Sequence, residues 1–251
     1  MQSCKETELP KHLGETGRKD SWWVEPALIA TGFTLFIVYA TWRAFEGNYY
    51  EWGPYLSPFY SPKLIFDWWK FSPAILILWM PAGFRATCYY YRKAYYRSYF
   101  VNPPACAVSG FPTGKGYSGE TKFPLIFQNL HRYFLYLAII VVGFLWYDAI
   151  VAFNFDGKFG VGVGSLVLLF NVIFLSNYTF GCHAFRHLVG GNLDCFSCTA
   201  GTKARHGIWE AVTKLNEHHQ FWAWMSLFSV GFADFYVRMV STGAITDIRL
   251  F

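Results

Sequence analysis

FGVGVGSLVLLFNVIFLSNYTFG at positions 159–181 runs directly into CHAFRHLVGGNLDCFSC at positions 182–198. The first segment has 23 residues and contains no Asp, Glu, Lys or Arg. A helix needs about 20 such residues to cross the hydrocarbon core of a bilayer, so this segment reads as a membrane span. The second segment begins where the span ends. His183 and His187 stand four apart and share one face of a helix. Cys195 and Cys198 are spaced to hold one metal ion, and the Gly190-Gly191 turn can fold them back onto the histidines. Soft ligands gathered at a membrane surface point to electron transfer more than to a structural staple.

Four more apolar blocks surround this one, at about 24–42, 68–90, 133–153 and 221–240. The predicted fold is therefore all-α: a polytopic membrane protein with a five-transmembrane-helix bundle over residues 21–240. A polar arm at 1–20 precedes it and a short tail at 241–251 follows it. The composition agrees, since only 15% of residues are charged, against roughly 25% in soluble domains. Trp22, Trp23, Trp68 and Trp69 mark span ends, where amphipathic rings prefer to sit. The arm lacks an apolar core and does not read as a signal peptide. The glycine- and proline-rich loop at 98–123 is long enough to suggest a function. Gly160, Gly162 and Gly164 are expected to permit close helix packing.

With the N-terminus inside, 15 of the 21 Lys and Arg residues fall on the inner side and 6 on the outer. The excess places the N-terminus in the cytoplasm and the protein in the plasma membrane. The net charge of +5 thus follows from topology. No basic patch is interleaved with stacking aromatics, so nucleic acid is not an expected partner. All seven histidines (His12, His131, His183, His187, His206, His218, His219) fall on the inner side. So do the six cysteines, which in a reducing compartment favour metal ligation or plain burial over a disulfide framework.

His183, His187, Cys195 and Cys198 supply two imidazoles and two thiolates, the ligand set of a Rieske-type [2Fe–2S] centre on the cytoplasmic side. Replacing two thiolates by neutral imidazoles raises the potential towards the quinone range. Rieske sites usually take one Cys and one His from each of two loops, and Cys182 stands beside His183 as a substitute for one of the four. The same set also fits one tetrahedral zinc, or no metal at all. A zinc enzyme also needs a general base, and neither an acid between Cys182 and His187 nor a His-Glu-x-x-His occurs. Haem b is a further alternative, with His131, His183, His187, His218 and His219 as candidate ligands. The first two spans offer no histidine.

Arg85, Tyr89 and His131, at the inner ends of the second and third spans, are the candidate quinone residues: donors beside an apolar slot. The tyrosine- and arginine-rich run at 85–97 also fits an interfacial anchor. Asp234 and Arg238, four apart, are expected to pair with each other.

The run at 85–97 and Cys182-His183-x3-His187-Leu188-x-Gly190-Gly191 resemble the five-helix membrane anchor of bacterial succinate dehydrogenase, in its actinobacterial branch. The resemblance covers about residues 20–240. It implies a flavoprotein and an iron–sulfur subunit as partners, contact with membrane lipid and an oligomer of the complex. It further implies a quinone, expected to be menaquinone, as electron acceptor, and a membrane-embedded Rieske-type cluster. Succinate itself would be oxidised by the partners, because this chain carries no dinucleotide fingerprint.

Overall fold

The computed structural model describes residues 12–110, 119–123 and 125–251. Parts of the expected N-terminal arm and of the loop at 98–123 lie outside these. The chain forms α1 (Val24–Glu46), α2 (Ile75–Ala86), α3 (Tyr89–Ala94), α4 (His131–Val151), α5 (Val163–Phe180), α6 (His183–Gly190), α7 (Ala200–Glu217) and α8 (His219–Ser241). Among the described residues, three helices are long and apolar enough to cross a membrane: Val24–Glu46, Leu125–Val151 and Val163–Phe180. Helix α8 is as long as α1 and carries Asp234 and Arg238.

The helices α1, α2, α4, α5 and α8 run alternately between two ends of the bundle. Helix α5 packs against α8 and α4, and α4 packs against α2. Their shared core contains Phe33, Phe84, Leu135, Tyr178 and Leu227. Helix α1 stays largely at the periphery, with Leu28, Leu35, Ile37 and Val38 exposed. Such a face is suited to lipid, because in a bilayer apolar side chains gain nothing by turning inward. Helix α1 stops at Gly47, whose φ of 67° supplies the left-handed cap.

The second expected span departs from its prediction. Residues 68–90 are not one helix: α2 covers Ile75–Ala86, 12 residues. At 1.5 Å per residue it is about 18 Å long, short of the roughly 30 Å hydrocarbon core. Pro73 precedes its start, and the Ser72 hydroxyl accepts the Ala74 N–H. At its other end Thr87 Oγ1 donates back to the Gly83 carbonyl at 2.7 Å. Cys88 then turns extended, with φ −70° and ψ 132°. This break carries the Cys88 side chain into the interior, where it is 2% exposed.

At the end where α1 finishes, a buried ionic network replaces the expected Asp234–Arg238 pair. Asp234 accepts from Arg43 Nε at 2.7 Å, and both side chains are fully buried. Arg238 pairs instead with Glu46 at 2.9 Å. Tyr39 and Ser57 hydroxyls also donate to Asp234. The long reach of Arg43 explains the swap, since its fork also satisfies the Asn48 and Tyr49 carbonyls.

The glycine repeat serves a loop residue instead of a neighbouring helix. A Cβ on Gly164 would lie 2.4 Å from the Tyr55 ring, and one on Gly162 would lie 2.2 Å from the Tyr55 hydroxyl. Tyr55 donates to Asp247 at 2.7 Å, and Asp247 also accepts the Gly164 N–H at 3.0 Å. Burial pushes the Tyr55 phenol up to about 12, so it remains a donor at neutral pH. The C-terminal tail is fixed as well, through a bridge between Gly162 and Arg249. Gly164→Ala is expected to destabilise the protein by about 1–3 kcal/mol through overpacking. Thermal unfolding of the detergent-solubilised complex checks this.

At the opposite end, the described part of the N-terminal arm is tied to its own chain. Thr16 Oγ1 donates to the Ala107 carbonyl and Arg18 to that of Cys106. Helices α6 and α7 form a hairpin here. Arg205 donates to the Val189 and Gly191 carbonyls, and the Trp209 ring fills the space left by Gly190.

Candidate functional site

Four side chains of redox or metal-binding type meet inside the end of the bundle that carries α6 and α7. Cys88 immediately precedes α3, and Cys182 immediately precedes α6. His131 begins α4 and His219 begins α8. Each sits where an apolar helix meets a polar connection, so the ends of separate helices bring the four together. They are 2%, 2%, 6% and 1% exposed, respectively. The His131 Nε2 lies 3.0 Å from the Cys182 sulfur, and the His219 Nε2 lies 3.8 Å from the Cys88 sulfur.

The surroundings hold these groups in place. Thr87 Oγ1 meets the other ring nitrogen of His131 at 3.0 Å. Phe84 stacks on His131 at 4.7 Å with 8° between the rings. Tyr178 stacks on His219 at 5.0 Å and 20°. The Cys182 sulfur accepts the Ala184 N–H at the start of α6, where the helix dipole favours negative charge. Burial nevertheless pushes this thiol up to about 12, so the thiolate needs a positive partner. Among the described residues, the buried Nδ1 of His219 meets no hydrogen-bond partner. All four side chains line one pocket of about 250 Å³, together with Tyr89 and His183.

Among the described residues, no group of three or more His, Cys, Asp or Glu side chains is placed to hold a single metal ion. The donors stand instead as two Cys–His pairs.

The residues singled out in the sequence are placed as follows. His183 and His187 are exposed neighbours on α6, with Nε2 atoms 3.1 Å apart. Burial, then His187 and Arg186, hold the His183 imidazole below its ordinary value. Cys195 and Cys198 are joined to each other by a disulfide, which corrects the expectation of free sulfurs. The Cys-x-x-Cys turn brings their Cα atoms to 5.7 Å, within the range a disulfide spans. Each sulfur is thereby engaged, and the pair has no thiolate to offer while the bond stands.

The quinone candidates divide between two cavities. Tyr89 and His131 line the 250 Å³ pocket. Arg85 lines a separate apolar chamber of about 430 Å³ between α1, α2, α4 and α5. Its guanidinium donates to Tyr91 at 2.7 Å, Ser226 at 2.9 Å and the Ala223 carbonyl at 3.3 Å. Phe84 and Tyr178 also line this chamber, so the rings that back the two imidazoles form the wall towards it. His131, expected at a quinone or a haem, and His219, expected at a haem, line this pocket beside Cys88, which no local motif marks in the sequence. Their common signal is position: each stands at the first turn of a helix beginning at a polar–apolar junction.

Comparison with known proteins bears on this arrangement. A family model described as the actinobacterial succinate dehydrogenase subunit SdhC matches residues 24–243. A chain of the Mycobacterium smegmatis Sdh1 complex in the apo form is similar at 41% identity and a TM-score of 0.83. The alignment covers 98% of this chain and 97% of that one. A comparison with curated proteins gives no match.

Proposed function

The chain belongs to the family of the actinobacterial succinate dehydrogenase subunit SdhC, and from that premise we propose that it anchors the complex in the plasma membrane and relays electrons to quinone. It is a non-catalytic subunit of an oxidoreductase. In this reading the flavoprotein and iron–sulfur partners oxidise succinate, and the end bearing α6 and α7 faces them in the cytoplasm. The excess of Lys and Arg at that end supports the orientation.

We assign a Rieske-type [2Fe–2S] centre to Cys88, Cys182, His131 and His219. The observation that carries this is the meeting of two buried thiols and two buried imidazoles in one pocket. The other set (His183, His187, Cys195 and Cys198) requires the disulfide to be reduced first, and the buried set requires no such step. When bound, the cluster supplies a one-electron carrier whose two imidazole ligands raise its potential towards that of a quinone.

The remaining roles belong to the chain. Arg85 lines the apolar chamber, and its guanidinium is held by Tyr91 and Ser226. There it would donate to a quinone carbonyl oxygen, with apolar walls around the ring. His183, at the edge of the 250 Å³ pocket, and the exposed His187 are placed to pass protons from water.

Iron and acid-labile sulfide counts on the isolated complex test the assignment. Cys88→Ala/Cys182→Ala is expected to lose two irons and two sulfides, as one [2Fe–2S] unit requires. Cys195→Ser/Cys198→Ser is expected to keep them. The reverse pattern would move the centre to the exposed set. Haem, with unchanged iron and sulfide, would make this a cytochrome b anchor.

A further inference from the structure

A groove of about 680 Å³ runs along α4 at the end of the bundle opposite α6 and α7, and no residue assigned above to the cluster or the quinone lines it. Ile140, Gly143, Phe144 and Tyr147 line it, at the three- and four-residue spacing of one helix face. Ile140, Phe144 and Tyr147 are 56%, 44% and 66% exposed. A Cβ on Gly143 would meet no atom within 4 Å, so the floor between these side chains is open. From Ile140 to Asp148 the strip is about 12 Å long, at 1.5 Å per residue. Its apolar walls suit a hydrocarbon chain.

The head of the groove is polar. Asp148 stands one turn from the end of α4, is partly buried and accepts from the Ser61 hydroxyl. Among the described residues it meets no other partner. Two further acids at this end are better supplied. Asp234 holds Arg43, Tyr39 and Ser57, and Asp247 holds Tyr55, Tyr236 and the Gly164 N–H. A carboxylate at the end of a span is costly unless it is paired, and the partner that neutralises it is a cation. Lys63 lines the same groove, but it pairs with Glu51 at 2.6 Å and lies over the Tyr50 ring. An ammonium has three donors, so Lys63 keeps donors for an anion.

An occupant that satisfies this groove brings a cation to Asp148, an anion to Lys63 and a hydrocarbon chain to α4. A zwitterionic phospholipid carries all three. Its cation must also donate to the carboxylate oxygen that Ser61 leaves open, and hydrogen bonds between ionised groups are the strong ones. A primary ammonium can donate and a choline cannot. An anionic headgroup would add negative charge beside Asp148. The geometry points to this groove as a binding site for one phosphatidylethanolamine molecule, with its ammonium on Asp148, its phosphate on Lys63 and an acyl chain over Gly143. No bond is made or broken in this role.

Native mass spectrometry of the intact complex tests it, after delipidation in detergent and titration with phosphatidylethanolamine, phosphatidylcholine or phosphatidylglycerol of identical acyl chains. The complex is expected to bind one phosphatidylethanolamine more tightly than either of the others. Asp148→Asn is expected to weaken that binding about tenfold or more, as loss of a hydrogen bond to a charged group implies. Gly143→Leu is expected to weaken it as well, by filling the path of the chain. Equal affinity of the unmodified complex for the three headgroups overturns the proposal, whether or not the variants assemble, and would mean that Asp148 takes up a proton in place of a headgroup. Pairing of two complexes through this face, with no lipid retained, overturns it too.

Discussion

Cys182→Ser is expected to abolish succinate-to-quinone electron transfer while succinate oxidation with an artificial acceptor at the partner subunits continues. The reasoning begins with position. Cys182 is buried, caps α6 and lies 3.0 Å from His131. Serine preserves the cap, because a hydroxyl accepts an N–H at a helix start as well as sulfur does. The helix should therefore survive and only the soft ligand should be lost. Loss of a partner that merely supports a metal ligand costs about 10–100-fold in activity or metal affinity, and losing a ligand is expected to cost more. The two assays on one preparation separate the causes. A fall in both would mean failed assembly, and no fall in either would remove Cys182 from the site. The Cys195→Ser/Cys198→Ser complex is expected to retain both activities.

Arg43→Ala should give the largest loss of stability of any single change away from the site. Removing the guanidinium leaves Asp234 fully buried with its charge uncompensated. Breaking a buried pair from one side costs about 3–5 kcal/mol. It also frees the Asn48 and Tyr49 carbonyls, so the loop that follows α1 loses its tie to the bundle. The thermal midpoint of the solubilised complex is expected to fall. Arg43→Met combined with Asp234→Leu should recover much of the loss, because a packed apolar pair needs no compensation. If the single change is silent, the network does not hold this end of the fold.

The helical elements were legible because membrane helices write themselves into long uncharged runs. The expected spans at 133–153 and 221–240 correspond to helices at His131–Val151 and His219–Ser241. The second block misled because its apolar composition extends beyond its helix. Composition does not register that Pro73 and the Thr87 back-bond shorten α2, and this shortening is what brings Cys88 inward. The proposed site was legible only in kind: two sulfurs and two imidazoles. A local motif is visible at short spacing, so Cys195-x-x-Cys198 and His183-x3-His187 drew attention. Cys88 and His219 stand 131 positions apart, and only the packing of α2, α4, α5 and α8 brings them together. The same limit applied to Asp234, whose partner was sought one turn away on α8 and lies on α1.

The most direct test is nitrogen hyperfine spectroscopy on the reduced complex prepared with 15N-labelled histidine. The assignment predicts two strongly coupled histidine nitrogens on one paramagnetic centre. It also predicts that this coupled signal is lost in His131→Ala and in His219→Ala, and persists in His183→Ala and His187→Ala. A centre without coupled histidine nitrogen, or one whose coupling vanishes with His183 and His187 instead, would contradict the buried site.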